Sequence, residues 1–165
     1  MSNEIRTKNT LPKGKRGEHL VAIQFLLIFT FILLPDWPLA AMAGTPPLFR
    51  WAALILFWST AATFGGLGSH TLKEVLTPLP YPVEHSRLIT TGIYGLVRHP
   101  LYSSQLFLAA GWTIFTMSAS HLLFTGLGFL FFSYKASREE RWLTARHPDY
   151  TAYAKRVKKF IPFIY

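Results

Sequence analysis

Two short clusters of polar side chains carry whatever chemistry this chain performs. The first is at His99, Pro100 and Tyr102. Proline suits the first turn of a helix, where its missing N–H would have been unpaired anyway. His99 and Tyr102 are three residues apart and fall on one side of that turn. An imidazole, a phenol and unpaired backbone N–H groups therefore meet at a helix start. Such an end carries partial positive charge and favours an anionic group. A loop that simply re-enters a membrane through a proline-started helix would read the same way. The second cluster follows an apolar run at Lys135, Glu139 and Glu140. Lys135 and Glu139 are four apart, so a cation and an anion share one helix face. Paired acids so close to an apolar run are costly unless solvated or partnered; Arg138 and Arg141 are the alternative partners. Tyr150 and Tyr153 share a further face, as site residues or as interfacial anchors.

The elements that must position these groups are apolar. Half of the 165 residues are hydrophobic, only 15% are charged, and 16% are aromatic, a composition suited to lipid and its interfaces. There is no cysteine, which removes disulfides, thiolate nucleophiles and Cys-type zinc sites. The six histidines show no H-E-x-x-H spacing, so no metal is expected. The net charge of +9 raises nucleic acid as a partner. The basic residues flank apolar runs instead of forming one soluble face, so the expected partners are membrane lipids and no nucleic acid.

Hydropathy predicts an all-α polytopic membrane protein. Residues 1–19 form a basic tail, and residues 20–165 a single domain with four spans near 20–39, 48–67, 101–118 and 121–134. The basic start and the run PLAAMAG also resemble a secretory leader; the segment is expected to be retained as a span. Gly65, Gly66 and Gly68 close the second span, either as a close-approach surface or as a plain helix end. The stretch 69–94, with Pro78, Pro80 and Pro82, is expected to be extended on the membrane surface. The last two spans form a short helical hairpin, with His121 as a polar residue at its tip. A charged C-terminal segment follows: helix over 138–146, a break at His147-Pro148-Asp149, and helix again over 151–157. Lys and Arg number five in the tail, one between spans one and two, three in 69–100 and eight in 135–165. That asymmetry puts both termini and both polar clusters on the cytoplasmic side. Economy of sequence suggests a bacterial inner membrane.

The run H-x-x-L-[IV]-T-x-G-x-Y-x-x-x-R-H-P-x-Y, on His85, Leu88, Ile89, Thr90, Gly92, Tyr94, Arg98, His99, Pro100 and Tyr102, resembles the signature of the isoprenylcysteine carboxyl methyltransferase family. These are integral-membrane enzymes related to small phospholipid methyltransferases. The family often continues Y-x-G, where this chain has Ser104. A second half-motif is similar: Glu139, Glu140, Leu143, Tyr150, Tyr153, Arg156, Val157, Phe160, Ile161 and Pro162 match E-E-x-x-L, Y-x-x-Y, R-V and [FL]-I-P. Arg146-His147 stands where the family usually has Phe-Gly. Site segments of about 85–102 and 135–162 follow.

The resemblance implies S-adenosylmethionine as cofactor, held by His85, Ser86, Arg87, Leu88, Tyr94, His99, Pro100, Leu101 and Tyr102, with Glu139 completing the pocket. It also implies that the basic residue four before Glu139 touches the substrate; the family has Arg there and this chain Lys135, a point charge without the two-pronged guanidinium. The substrate is then a lipophilic carboxylate or amine drawn from the bilayer. A carboxylate needs only positioning. An amine must lose a proton, with Glu140 or His99 as base. Two other readings are a membrane reductase using NADPH, whose family shares an Arg-His-x-x-Tyr element but usually needs more spans, and a non-enzymatic membrane accessory protein.

Overall fold

The structure, a computed structural model, describes residues 17–42, 44–72 and 88–165. The described chain is all-helical, as expected, in five α-helices: α1 (Glu18–Leu33), α2 (Pro47–Leu72), α3 (Pro100–Thr116), α4 (Ala119–Arg146) and α5 (Tyr150–Arg156). Among the described residues the only β pairing is two isolated bridges, Pro38 with Ser118 and Val97 with Lys158. The Pro-rich stretch at 78–82 lies outside the described residues.

Prolines set the helix boundaries. Pro47 and Pro100 occupy the first positions of α2 and α3. Leu34 and His147 each precede a proline, take extended backbone and end α1 and α4. α3 ends where Met117 turns left-handed at φ 51°. Only Met117 and Ser118 separate it from α4, so the expected tight hairpin forms. Two boundaries differ from expectation. α1 ends at Leu33 instead of running on to residue 39, and α2 does not close at its glycines but runs on to Leu72; α4 continues through Arg146 and breaks at His147, as expected.

The glycine result has a packing cause. A Cβ on Gly65 would lie 2.8 Å from the Ser104 hydroxyl of α3, and one on Gly111 of α3 would lie 2.8 Å from the Phe57 Cβ of α2. The two helices interlock at these positions, and the close approach offsets the roughly 1 kcal/mol that a helical glycine costs. Gly65 also accommodates the Ser104 side chain.

At the end remote from the polar clusters, the segment after α1 is fastened to the hairpin tip. Leu39 N–H donates to Met117 O at 2.9 Å, Ala119 N–H to Trp37 O at 2.8 Å and Ser120 Oγ to Pro35 O at 2.6 Å. His121 is buried there, with Nδ1 3.2 Å from Asp36 and its ring edge-on to Phe31.

Among the described residues one helix, α2, is long and apolar enough to cross a membrane. α1 and α3, at 16 and 17 residues, are about 25 Å long, short of a ~30 Å hydrocarbon core. Phe25, Leu26, Phe29, Ile32 and Leu33 of α1, and Leu48, Phe49, Ile55 and Leu56 of α2, stand exposed. Gly111→Val is expected to destabilise the protein by about 1–3 kcal/mol, because a branched side chain drives into Phe57 and Trp58; thermal unfolding in detergent measures it, and Ala110→Val is the control.

Candidate functional site

The turn before α3, the C-terminal half of α4 and the segment after α5 converge. Arg98 N–H donates to Lys158 O at 2.8 Å and His99 N–H to Lys159 O at 3.1 Å, so the two strands of chain run side by side. Ser103 Oγ, fully buried, donates to Phe160 O at 2.8 Å. The second half-motif is thereby clamped onto the first.

Glu140 is the electrostatic centre of the clamp. Arg98 Nε donates to its Oε1 at 2.9 Å, His99 Nε2 lies 3.0 Å from the same oxygen, and Lys159 Nζ is 3.6 Å from Oε2. Arg98 Nη1 also donates to Ala154 O at 2.9 Å and to Val157 O. Burial alone would raise the Glu140 carboxyl, but the His99 and Arg98 contacts prevail and hold it at about 2.

Glu139, one residue earlier, faces a different set. Its Oε2 accepts from Tyr102 Oη at 3.0 Å and lies 3.6 Å from His99 Nδ1. Desolvation pushes this carboxyl up, while His99, Tyr102 and Lys135 pull it down. His99 therefore sits between two carboxylates, one at each ring nitrogen. Its ring stacks on Tyr102 at 5.4 Å with 7° between planes, and Tyr102 stacks on Phe132 at 5.2 Å. Phe160 closes the group edge-on to both His99 and Tyr102. The buried Lys135 ammonium lies 5.3 Å from the Tyr102 ring centroid, within cation–π range.

Tyr94 is in the 3₁₀ turn Gly92–Gly95, which Gly92 opens at φ 62°. Tyr94 packs with Phe64, Ile93 and Val97, and its carbonyl accepts from Tyr153 Oη at 2.6 Å. Burial raises the Tyr153 phenol to about 12 and raises the Tyr94 and Tyr150 phenols as well. Tyr150 Oη and His147 Nε2 are buried and find no hydrogen-bond partner among the described residues.

Of the residues expected from sequence, the structure brings His99, Tyr102, Lys135, Glu139 and Glu140 together. Pro100 and Leu101 pack beside them, against α2 at Gly68. Leu88 and Tyr94 lie on the approach to the α3 turn. His85, Ser86 and Arg87 lie outside the described residues. Sequence reasoning passed over Gln24, whose amide reaches Lys135 from α1, and over Phe132 and Lys159. A lone glutamine in the apolar run of α1 was the available signal for the first.

The phospholipid methyltransferase family matches residues 70–150, the stretch that carries the α3 turn, the hairpin and both glutamates. Over this stretch the chain is similar to isoprenylcysteine and phospholipid methyltransferases. It is 32% identical over 83 residues to protein-S-isoprenylcysteine O-methyltransferase B of Arabidopsis thaliana, covering 49% of this chain and 42% of that protein. It is 37% identical over 86 residues to a probable protein-S-isoprenylcysteine O-methyltransferase of Oryza sativa subsp. indica, covering 51% and 44%. It is also 32% identical over 80 residues to the cobalt-zinc-cadmium resistance protein CzcN of Cupriavidus metallidurans, covering 48% and 37%. The chain thus spans about two fifths of the length of the curated relatives it matches.

The lowered Glu140 carboxyl has a pH signature. A carboxyl with a folded value of about 2 contributes stability above its ordinary range and loses it as pH falls towards 2. Glu140→Gln is expected to cost about 3–5 kcal/mol at pH 7, since it leaves Arg98 and Lys159 without their anion. The gap between wild type and variant should narrow between about pH 4.5 and about 2. Unfolding midpoints across that range measure it; a constant gap would refute the assignment.

Proposed function

We propose that this protein transfers a methyl group from S-adenosylmethionine to a lipophilic carboxylate drawn from the bilayer. The observation that carries the reading is the group of Tyr102, His99, Glu139 and Lys135, built inside the stretch that matches the family. The residues suit that cofactor. Its sulfonium is favoured by an aromatic face, which Tyr102 with His99 and Phe132 supplies. A ribose diol wants an acceptor; Tyr102 and His99 both engage Oε2 of Glu139, and the other oxygen keeps its acceptor capacity. When bound, the cofactor supplies an electrophilic methyl on sulfur.

The remaining work falls to this chain's side chains. Leu88, Tyr94, His99, Pro100, Leu101, Tyr102 and Glu139 line the cofactor side, with His85, Ser86 and Arg87 assigned there from sequence. Lys135, buried behind Tyr102, attracts the head of an anionic acceptor, and positioning then does most of the catalysis. A carboxylate acceptor needs no base. This suits Glu140, which at about 2 holds a proton too weakly to accept one usefully at neutral pH and is engaged by Arg98, Lys159 and the His99 ring. We assign Glu140 to holding the two half-motifs together. The names of the plant relatives favour the same carboxyl chemistry.

In this reading the four apolar segments all meet lipid. α2 crosses, and α1 and the α3–α4 hairpin are accommodated by local thinning. The basic tail and the C-terminal segment lie on the cytoplasmic side, where the cofactor is available.

Calorimetric titration of the detergent-purified protein with S-adenosylhomocysteine tests the proposal. Micromolar binding is expected, weakened at least tenfold by Tyr102→Ala and by Glu139→Ala. Wild-type protein that binds NADPH and not S-adenosylhomocysteine would replace the methyltransferase reading with the reductase.

A further inference from the structure

Three polar side chains from three helices form one relay within the apolar part of the fold. Lys135 Nζ of α4 donates to Gln24 Oε1 of α1. Gln24 Nε2 donates to Gln105 Oε1 of α3 at 2.9 Å, and Gln105 Nε2 donates to Leu101 O at 3.3 Å. The direction of the relay is fixed by chemistry. An ammonium only donates, so the Gln24 oxygen must face Lys135, its amide N–H₂ must face Gln105, and the Gln105 N–H₂ is left for a backbone carbonyl. The relay ends at Leu101, next to Tyr102.

Gln24 answers a specific problem. A lysine near the membrane-facing half of α4 has a flexible four-carbon stem, and its charge is drawn outward to the polar interface. Lys135 does the opposite: it is 1% exposed and lies over the Tyr102 ring. An amide in the apolar face of α1 is itself costly unless it is satisfied, so its place there marks a function. Gln24 lies well before residues 70–150, the stretch that matches the family.

We infer that Gln24 is a positioning residue for the acceptor: it holds the Lys135 ammonium inward over Tyr102, where that charge meets the anionic head of the lipophilic substrate. The inference rests on the methyltransferase reading. It makes α1 part of the site, and it assigns the discrimination between a charged and an uncharged acceptor to a residue on that helix.

The test uses the full chain in lipid nanodiscs with S-adenosylhomocysteine bound, so that no turnover is needed. The probes are N-acetyl-S-farnesylcysteine, a lipophilic acid, and its methyl ester. Wild type is expected to bind the acid more tightly than the ester. Gln24→Leu should weaken the acid about tenfold while leaving the ester and S-adenosylhomocysteine within about twofold. Lys135→Met should do the same, and the double variant should lose nothing further, because both residues act through one ammonium. Parallel loss of acid and ester, losses that multiply in the double variant, an unchanged acid affinity in Gln24→Leu, or a wild type that binds S-adenosylhomocysteine without preferring the acid would each overturn the inference. A wild type that fails to bind S-adenosylhomocysteine would remove the methyltransferase reading, and the inference with it.

Discussion

The contact between Arg98 and Glu140 decides where everything else in the site stands. One guanidinium joins three parts of the chain: the turn before α3 that bears it, the carboxylate of α4, and the carbonyls of Ala154 and Val157 around the end of α5. Lys159 reaches the same carboxylate from the C-terminal segment. A buried charge cluster of this kind is a poor source of net stability, because desolvation consumes most of the attraction. It is a strong source of specificity, since any other arrangement leaves one of the charges unpaired. Removing Glu140 would leave Arg98 and Lys159 unpaired beside the backbone pairing of Arg98 and His99 with Lys158 and Lys159, which Ser103 and the Arg98 contacts to Ala154 and Val157 would then hold alone.

With that frame fixed, adjacent glutamates acquire different environments. Successive residues on a helix point about 100° apart, so Glu139 and Glu140 face different sets of partners and meet only across the two nitrogens of the His99 ring. Glu140 turns towards Arg98 and Lys159 and is held ionised. Glu139 turns towards Tyr102, where desolvation works against ionisation. His99 sits between them and couples the two through its ring. The division of labour proposed above, one carboxylate for the frame and one for the ligand, follows from helix geometry applied to a pair of identical side chains.

Much of this was legible in the residues. Proline positions gave the start of α3 and the end of α4, because a missing N–H and a fixed φ act locally, whereas the first span was expected to run past Pro35 and ends at Leu33. Lys135 and Glu139 on one face, and His99 beside Tyr102, followed from helical periodicity. The partners of Glu140 were not legible: Arg98 is 42 residues away, and Arg138 and Arg141 were nearer candidates on the same helix. The continuation of α2 through three glycines was also hidden. It depends on Ser104 and on the close approach of α3, which no local propensity reveals. The apolar composition predicted spans, yet the lengths of α1 and α3 depend on caps that hydropathy does not see.

The aromatic wall gathers several kinds of contact on one ring. Tyr102 stacks with both His99 and Phe132, hydrogen-bonds Glu139 through its hydroxyl, and lies within reach of the Lys135 charge. A phenylalanine there would keep the stack and lose the link to Glu139; a leucine would lose the quadrupole that attracts the cation. The ring thus has a carboxylate at its hydroxyl and a buried ammonium within cation–π range. In the proposed reading a sulfonium cofactor and an anionic acceptor carry opposite charges, and a carboxylate and an ammonium beside one ring would favour different ligands. That preference is stronger in an apolar setting than in water, because a charge placed against the wrong partner there has no solvent to offset it.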